Sequence, residues 1–144
     1  MNFFYYQEQQ AKHSGADPDT EAIAHATIGA AIEVHRVLGS GLSESVYRNA
    51  LSIELTLRGI QHQCEASVPV FYKEKLVGEG RIDVLVENKL IVELKVVESL
   101  NEAHRAQVIA YLAATELTLA LLINFNAPIL RDGIKRVIRS KQLS

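Results

Sequence analysis

Apolar residues recur first at steps of three and four, then at steps of two, then at three and four again. Ile23, Ala26, Ala30, Val34, Val37 and Leu38 mark one side of a helix. Asp17-Pro18 starts it, the Asp as N-cap and the Pro at the first helical position, and Gly39 and Gly41 end it. A second helix is predicted from about residue 42 to 58, with Val46, Ala50, Ile53 and Leu57 inward and Gly59 making the left-handed turn beyond it. The period then drops to two. Residues 61–72, 76–86 and 90–97 read as consecutive strands, joined by turns at Lys73-Glu74-Lys75 and Glu87-Asn88-Lys89. A helix over 101–114, an apolar strand over 117–125 and an edge strand over 133–139 complete the order.

This order predicts an α/β domain with a central mixed sheet flanked by helices. The third strand sits at the sheet centre, because both faces are apolar except for Glu93 and Lys95. We expect one domain over 17–144, preceded by a separate segment over 1–16. That segment carries Phe3, Phe4, Tyr5 and Tyr6, a cluster suited to docking on a hydrophobic patch of the same chain or a symmetry mate, with base stacking as the alternative.

Composition narrows the setting. A chain of 144 residues with 48% hydrophobic and 22% charged residues can bury one core without disulfides. Cys64 is the sole cysteine, which excludes an internal disulfide or a cysteine zinc site and fits a reducing cytoplasm. No apolar run reaches the ~20 residues of a bilayer span, and the start lacks the pattern of a signal peptide, so a soluble cytoplasmic protein is expected. The net charge of -2 gives no support to nucleic-acid binding. The basic stretch of Arg131, Lys135, Arg136, Arg139 and Lys141 is most simply a solvated strand or tail; as a nucleic-acid contact it nominates Lys135, Arg136 and Arg139.

Charges inside central strands call for an explanation, because an unpaired buried ion costs several kcal/mol. Glu93 and Lys95 share a face of their strand. Asp83 joins them if Glu87-Asn88-Lys89 is a three-residue loop, since Val86 then pairs with Leu90 and Asp83 lies opposite Glu93. A two-residue loop aims Asp83 away. Two carboxylates and a lysine suit a hard cation such as Mg²⁺, with the lysine orienting water and steadying developing charge. The alternative is an internal salt bridge of Lys95 with either acid. On the following helix His104, Gln107 and Tyr111 form one stripe, either an exposed polar face or a row able to reach a phosphate. Glu44 alone is an ordinary first-turn acid, and His35 a structural residue near a helix end.

Gly41-Leu-Ser-Glu44-Ser-Val-Tyr47 resembles the signature of the GxxExxY proteins, a branch of the PD-(D/E)XK nuclease superfamily. Residues 28–39, 81–95, 107–111 and 121–126 are similar to further parts of that family, so the resemblance spans roughly 20–139 and leaves out the aromatic start. It implies a restriction-endonuclease-like αβββαβ core plus an extra N-terminal helix. By motif match, Asp83, Glu93 and Glu44 are metal-ligand positions, Lys95 is the catalytic lysine, and Gln107 and Tyr111 match a Q-x-x-x-Y helix motif. Ile82 stands where the superfamily's name implies proline.

The function expected from these readings is an Mg²⁺-dependent nuclease, with Mn²⁺ able to substitute. It would hydrolyse phosphodiester bonds in nucleic acid, with DNA the favoured substrate, in repair, recombination or defence. A homodimer or a larger recruiting protein would supply missing surface. The alternative is a non-catalytic protein-interaction module on the same fold, which the acidic net charge favours.

Overall fold

One five-stranded sheet runs in the order β1-β2-β3-β4-β5. In the computed structural model residues 16–139 are described, so the aromatic cluster Phe3–Tyr6 and Lys141 lie outside them. Helix α1 (Pro18–Leu38) begins where the Asp17 carboxylate accepts the Thr20 N–H at 2.8 Å, and α2 (Glu44–Leu57) follows a short loop. β1 (His62–Tyr72) and β2 (Lys75–Val86) form a long antiparallel hairpin. Its loop is Lys73 and Glu74, with φ of 48° and 68°, the paired left-handed turn that matches strand twist.

β3 (Leu90–Lys95) pairs antiparallel with β2 and parallel with β4 (Leu119–Asn124), so the sheet is mixed. The parallel pair requires a crossover, and α3 (Glu102–Thr115) supplies it. A 3₁₀ turn over Leu130–Gly133 leads into β5 (Ile134–Ile138), which lies antiparallel to β4 at the edge. None of the described helices is long and apolar enough to cross a membrane.

Each face of the sheet carries its own core. Leu90, Val92 and Leu94 of β3 pack with Ala30, Val34, Tyr47, Leu51 and Leu55 of α1 and α2. Ile91, with Ala120 and Leu122 of β4, packs against Val108 and Leu112 of α3. Both faces of β3 and β4 are therefore covered, which explains their nearly continuous apolar sequence. α1 is tied to the rest of the domain by ion pairs from Asp19 to Lys89 and from Glu21 to Arg136.

The helical faces differ in part from the periodicity reading. In α2 the buried side chains are Tyr47, Leu51 and Leu55, while Val46, Ile53 and Leu57 are 40%, 63% and 76% exposed and Ala50 is half-buried. The helix carries two apolar stripes, and the one with Tyr47 wins because its ring stacks on Phe125 at a centroid distance of 4.5 Å. In α1, Val34 is buried but Val37 and Leu38 face solvent.

The rotation of α2 is directly testable. Leu51→Ala should cost about 2–5 kcal/mol in urea unfolding, whereas Ile53→Ala should change stability by less than ~0.5 kcal/mol. Equal losses at the two positions would contradict this packing.

Candidate active site

Between β2 and β3 the paired ladder runs Val86↔Leu90, Leu85↔Ile91, Val84↔Val92 and then stops. The connection is therefore three residues, with Glu87 and Asn88 left-handed at φ 53° and 54° and Lys89 N–H donating to Val86 C=O at 2.9 Å. This register sets Asp83 opposite Glu93, the first step at which the strands part. There the two acids replace the missing ladder. The Asp83 N–H donates to Glu93 Oε1 at 3.0 Å, and the Leu94 N–H donates to Asp83 Oδ2 at 2.8 Å. Each carboxylate thus caps an amide freed at the fork.

Glu93 is 3% exposed. Burial, then the charge of Asp83, push its pKa up from 4.5 to about 8; the Asp83 amide and Lys95 oppose this without cancelling it. Two residues along β3, Lys95 donates from Nζ to Gln107 Oε1 of α3 at 3.1 Å, so the lysine is held by a neutral amide. Gln107 Nε2 in turn donates to the Tyr111 hydroxyl at 3.5 Å, and that oxygen accepts the Arg81 N–H at 3.4 Å.

Tyr111 reaches β2 because residue 80 is glycine. A Cβ there would lie 2.4 Å from the tyrosine ring. His104, on the same stripe, is used differently: its Nδ1 accepts the Asn101 N–H at 3.1 Å in a capping box that starts α3.

The α1–α2 loop delivers Glu44. Gly41 has φ 105°, which a side chain would strain. The Tyr47 hydroxyl donates to Gly39 C=O at 2.5 Å and accepts the Leu42 N–H at 3.2 Å, pinning the loop to the helix that follows. Glu44 opens that helix and faces the same cleft as Asp83, Glu93, Lys95, Gln107 and Tyr111. The cleft measures about 790 Å³, and Arg48, Glu65, Ser67, Glu79 and Arg81 also line it. The sequence reading passed over these five and Gly80; Arg48, one turn after Glu44, and a glycine inside a strand were the available signals.

Lys135, Arg136 and Arg139 are not brought to this cleft. They belong to the β5 end of the sheet, where Arg136 Nη2 binds Glu21 Oε1 at 2.5 Å and lines a smaller groove with His25 and Ile28. His35 lies within the fold, its ring 6.3 Å from that of Phe125.

Among the described residues no three His, Cys, Asp or Glu side chains converge closely enough to hold a metal by themselves. Asp83 and Glu93 do meet, and Glu44 faces them from α2 without closing the set. A carboxylate pair with burial and mutual repulsion raising one pKa is chemically suited to a hard divalent cation, which needs only one or two protein carboxylates beside its waters.

A mixed sheet with two helices on one face and one on the other, with acids and a lysine where β2 and β3 part, describes a nuclease-like α/β domain. The model of the PD-(D/E)XK nuclease superfamily matches residues 21–137, and the chain belongs to that superfamily. Its members are generally nucleases that typically use divalent metal ions. Among solved structures, the crystal structure of SSO0001 is similar over 69% of this chain and 50% of its own, at 18% identity and a TM-score of 0.49. The chain thus spans about half the length of that protein. The comparison with curated proteins gave no match.

The raised Glu93 pKa has a consequence for the metal-free protein. A carboxyl with its folded pKa above its unfolded value adds stability that is complete below about pH 4.5 and is lost as pH rises through about 8. Unfolding free energy measured in chelator should therefore fall across that window and level off above it, and Glu93→Gln should remove most of the fall. A wild-type profile that stays flat or rises there would contradict the environment assigned to Glu93.

Proposed function

We propose that this domain is an Mg²⁺-dependent nuclease of the GxxExxY branch, acting on DNA in repair, recombination or defence, with Mn²⁺ able to replace Mg²⁺. The observation that carries the reading is the meeting of Asp83, Glu93 and Lys95 in one cleft, at the fork where their strands part. The Gly41, Glu44 and Tyr47 spacing, with each residue given a structural task, supports the choice of branch.

In this reading Asp83 and Glu93 would hold the ion, with Glu44 facing them from α2. The bound ion supplies Lewis acidity toward water and the phosphoryl oxygens. Lys95 Nζ, fixed by Gln107, orients the attacking water and offsets negative charge on the phosphorus oxygens as the new P–O bond forms and the old one breaks. Gln107 and Tyr111 keep that lysine and the β2 backbone in place. Glu93 would have to give up its proton to bind an ion, so loading would depend on pH. Lys135, Arg136 and Arg139 would contribute only if the strand extends to the β5 edge.

One observation favours a second reading, a protein-interaction module. The far half of the β1–β2 hairpin exposes Val70, Phe71, Tyr72, Leu76 and Val77, an apolar surface suited to a second copy or a recruiting protein.

A panel of single-stranded, duplex, branched and RNA substrates separates the two. The nuclease reading predicts cutting that requires Mg²⁺ or Mn²⁺ and drops by about 10²-fold or more in Lys95→Ala. No cutting of any substrate, together with no thermal stabilisation by either ion, would sink it and leave the interaction module.

A further inference from the structure

Four charged side chains of the cleft have no task in the reaction above, Arg48, Glu65, Glu79 and Arg81, and three of them meet. Arg48 follows Glu44 by one helical turn and faces the same way. Arg81 precedes Asp83 on β2. Both guanidiniums share one oxygen, Glu65 Oε1, from Arg81 Nη1 at 3.3 Å and from Arg48 Nη2 at 3.8 Å.

Glu65 reaches them through an irregular backbone. It sits in β1 across from Asp83, between the pairs Cys64↔Val84 and Ala66↔Ile82, with φ 53°. A left-handed conformation is costly for a residue with a Cβ, and more so within a strand. The strand turns over at this point. Cys64 packs with the α1–α2 core, while Ala66, two residues on, packs with the α3 core.

What this conformation achieves is a poor ion pair. Two forked cations address a single oxygen at long range, and the Glu65 side chain is 45% exposed, so the contacts are weak and screened. A phosphate presents more oxygens and suits two guanidiniums better than one carboxylate oxygen does. The cleft as a whole is acidic, so a polyanion entering it depends on its few cations. Its bases are Arg48, Arg81 and Lys95, against the acids Glu44, Glu65, Glu79, Asp83 and Glu93. With Lys95 given to the reacting phosphate, the two arginines are the cleft's remaining cations for a polyanion.

We propose that Arg48 and Arg81 form a subsite for a backbone phosphate flanking the scissile one, and that Glu65 fills it as a resident counter-anion until the strand displaces it. This rests on the nuclease reading for its ligand. It makes the arginines binding residues and Glu65 a competitor of substrate.

The test is binding of a short fluorescent oligonucleotide, single-stranded and duplex, in chelator so that nothing is cut. Alongside it, thermal shifts are recorded with inorganic phosphate against chloride of equal ionic strength. Arg48→Gln and Arg81→Gln should each weaken oligonucleotide binding about tenfold and flatten its salt dependence. Glu65→Gln should tighten binding several-fold even though losing its ion pairs lowers the melting temperature. Phosphate should stabilise wild type, stabilise Glu65→Gln more, and leave the double arginine variant unmoved.

A purely structural Glu65 would lower stability without tightening binding, and that result overturns the proposal. Arginine variants that bind like wild type, or a wild type that binds neither probe, also overturn it. Metal-dependent cutting by wild type with none of these effects leaves the nuclease standing and removes the subsite. Arginine-dependent binding of both probes, with neither cutting of any substrate nor thermal stabilisation by Mg²⁺ or Mn²⁺, removes the nuclease and leaves the arginines as a phosphate-binding pair only.

Discussion

The exchange of side chains for ladder bonds at the β2–β3 fork is the constraint on which the site depends. Strands that stayed paired past Val84 and Val92 would satisfy their own amides and leave no backbone N–H for either carboxylate to accept. Because the ladder opens there, the amides of Asp83 and Leu94 need acceptors, and each finds the carboxylate of the facing strand. One arrangement therefore satisfies the backbone and brings two acids together. Its energetic cost falls on Glu93, whose carboxyl is buried beside Asp83 and keeps its proton to higher pH than a free glutamate does. A cation between the two acids would offset the repulsion that raises this pKa.

The layers on each side deliver the remaining groups to that fork. On one side, Tyr47 stacks on Phe125 and pins the loop before α2, which sets the start of that helix over the cleft with Glu44 and Arg48 one turn apart. On the other side, α3 bridges the parallel strands β3 and β4 and lays Gln107 and Tyr111 against Lys95 and Gly80 of β2. Beyond the C-terminal end of β3, the Asn124 carboxamide binds both the N–H and the C=O of Val97. That holds the chain next to Lys95 as it leaves the sheet. Loops are short throughout this region, so the placement of the groups follows from the packing of rigid elements.

Much of this was legible in the sequence because it depends on period and register. The succession of strands along the chain, the central position of β3 and the condition that joins Asp83 to Glu93 all follow from alternation and loop length, and the loop proved to be the three-residue one. The face of α2 was not legible. Val46–Ile53–Leu57 and Tyr47–Leu51–Leu55 both recur at helical spacing, and the choice lay with Phe125, far along the chain. Glu44 was legible only through its resemblance to a known motif, since a first-turn acid has a sufficient local reason to be there. Glu65 was hidden more deeply. Nothing in an alternating strand announces a left-handed glutamate, and its conformation appears only when β1 is seen to turn over between two cores.

The central proposal is that Asp83 and Glu93 form one cation site and that an ion binding there displaces a proton from Glu93. Calorimetric titration of the protein with Mn²⁺ near pH 7, in two buffers of different ionisation enthalpy, tests it most directly. The account predicts release of about one proton per ion bound, with the release abolished in Glu93→Gln and retained in Glu44→Gln. Binding without proton release, or release that persists in Glu93→Gln, would contradict it.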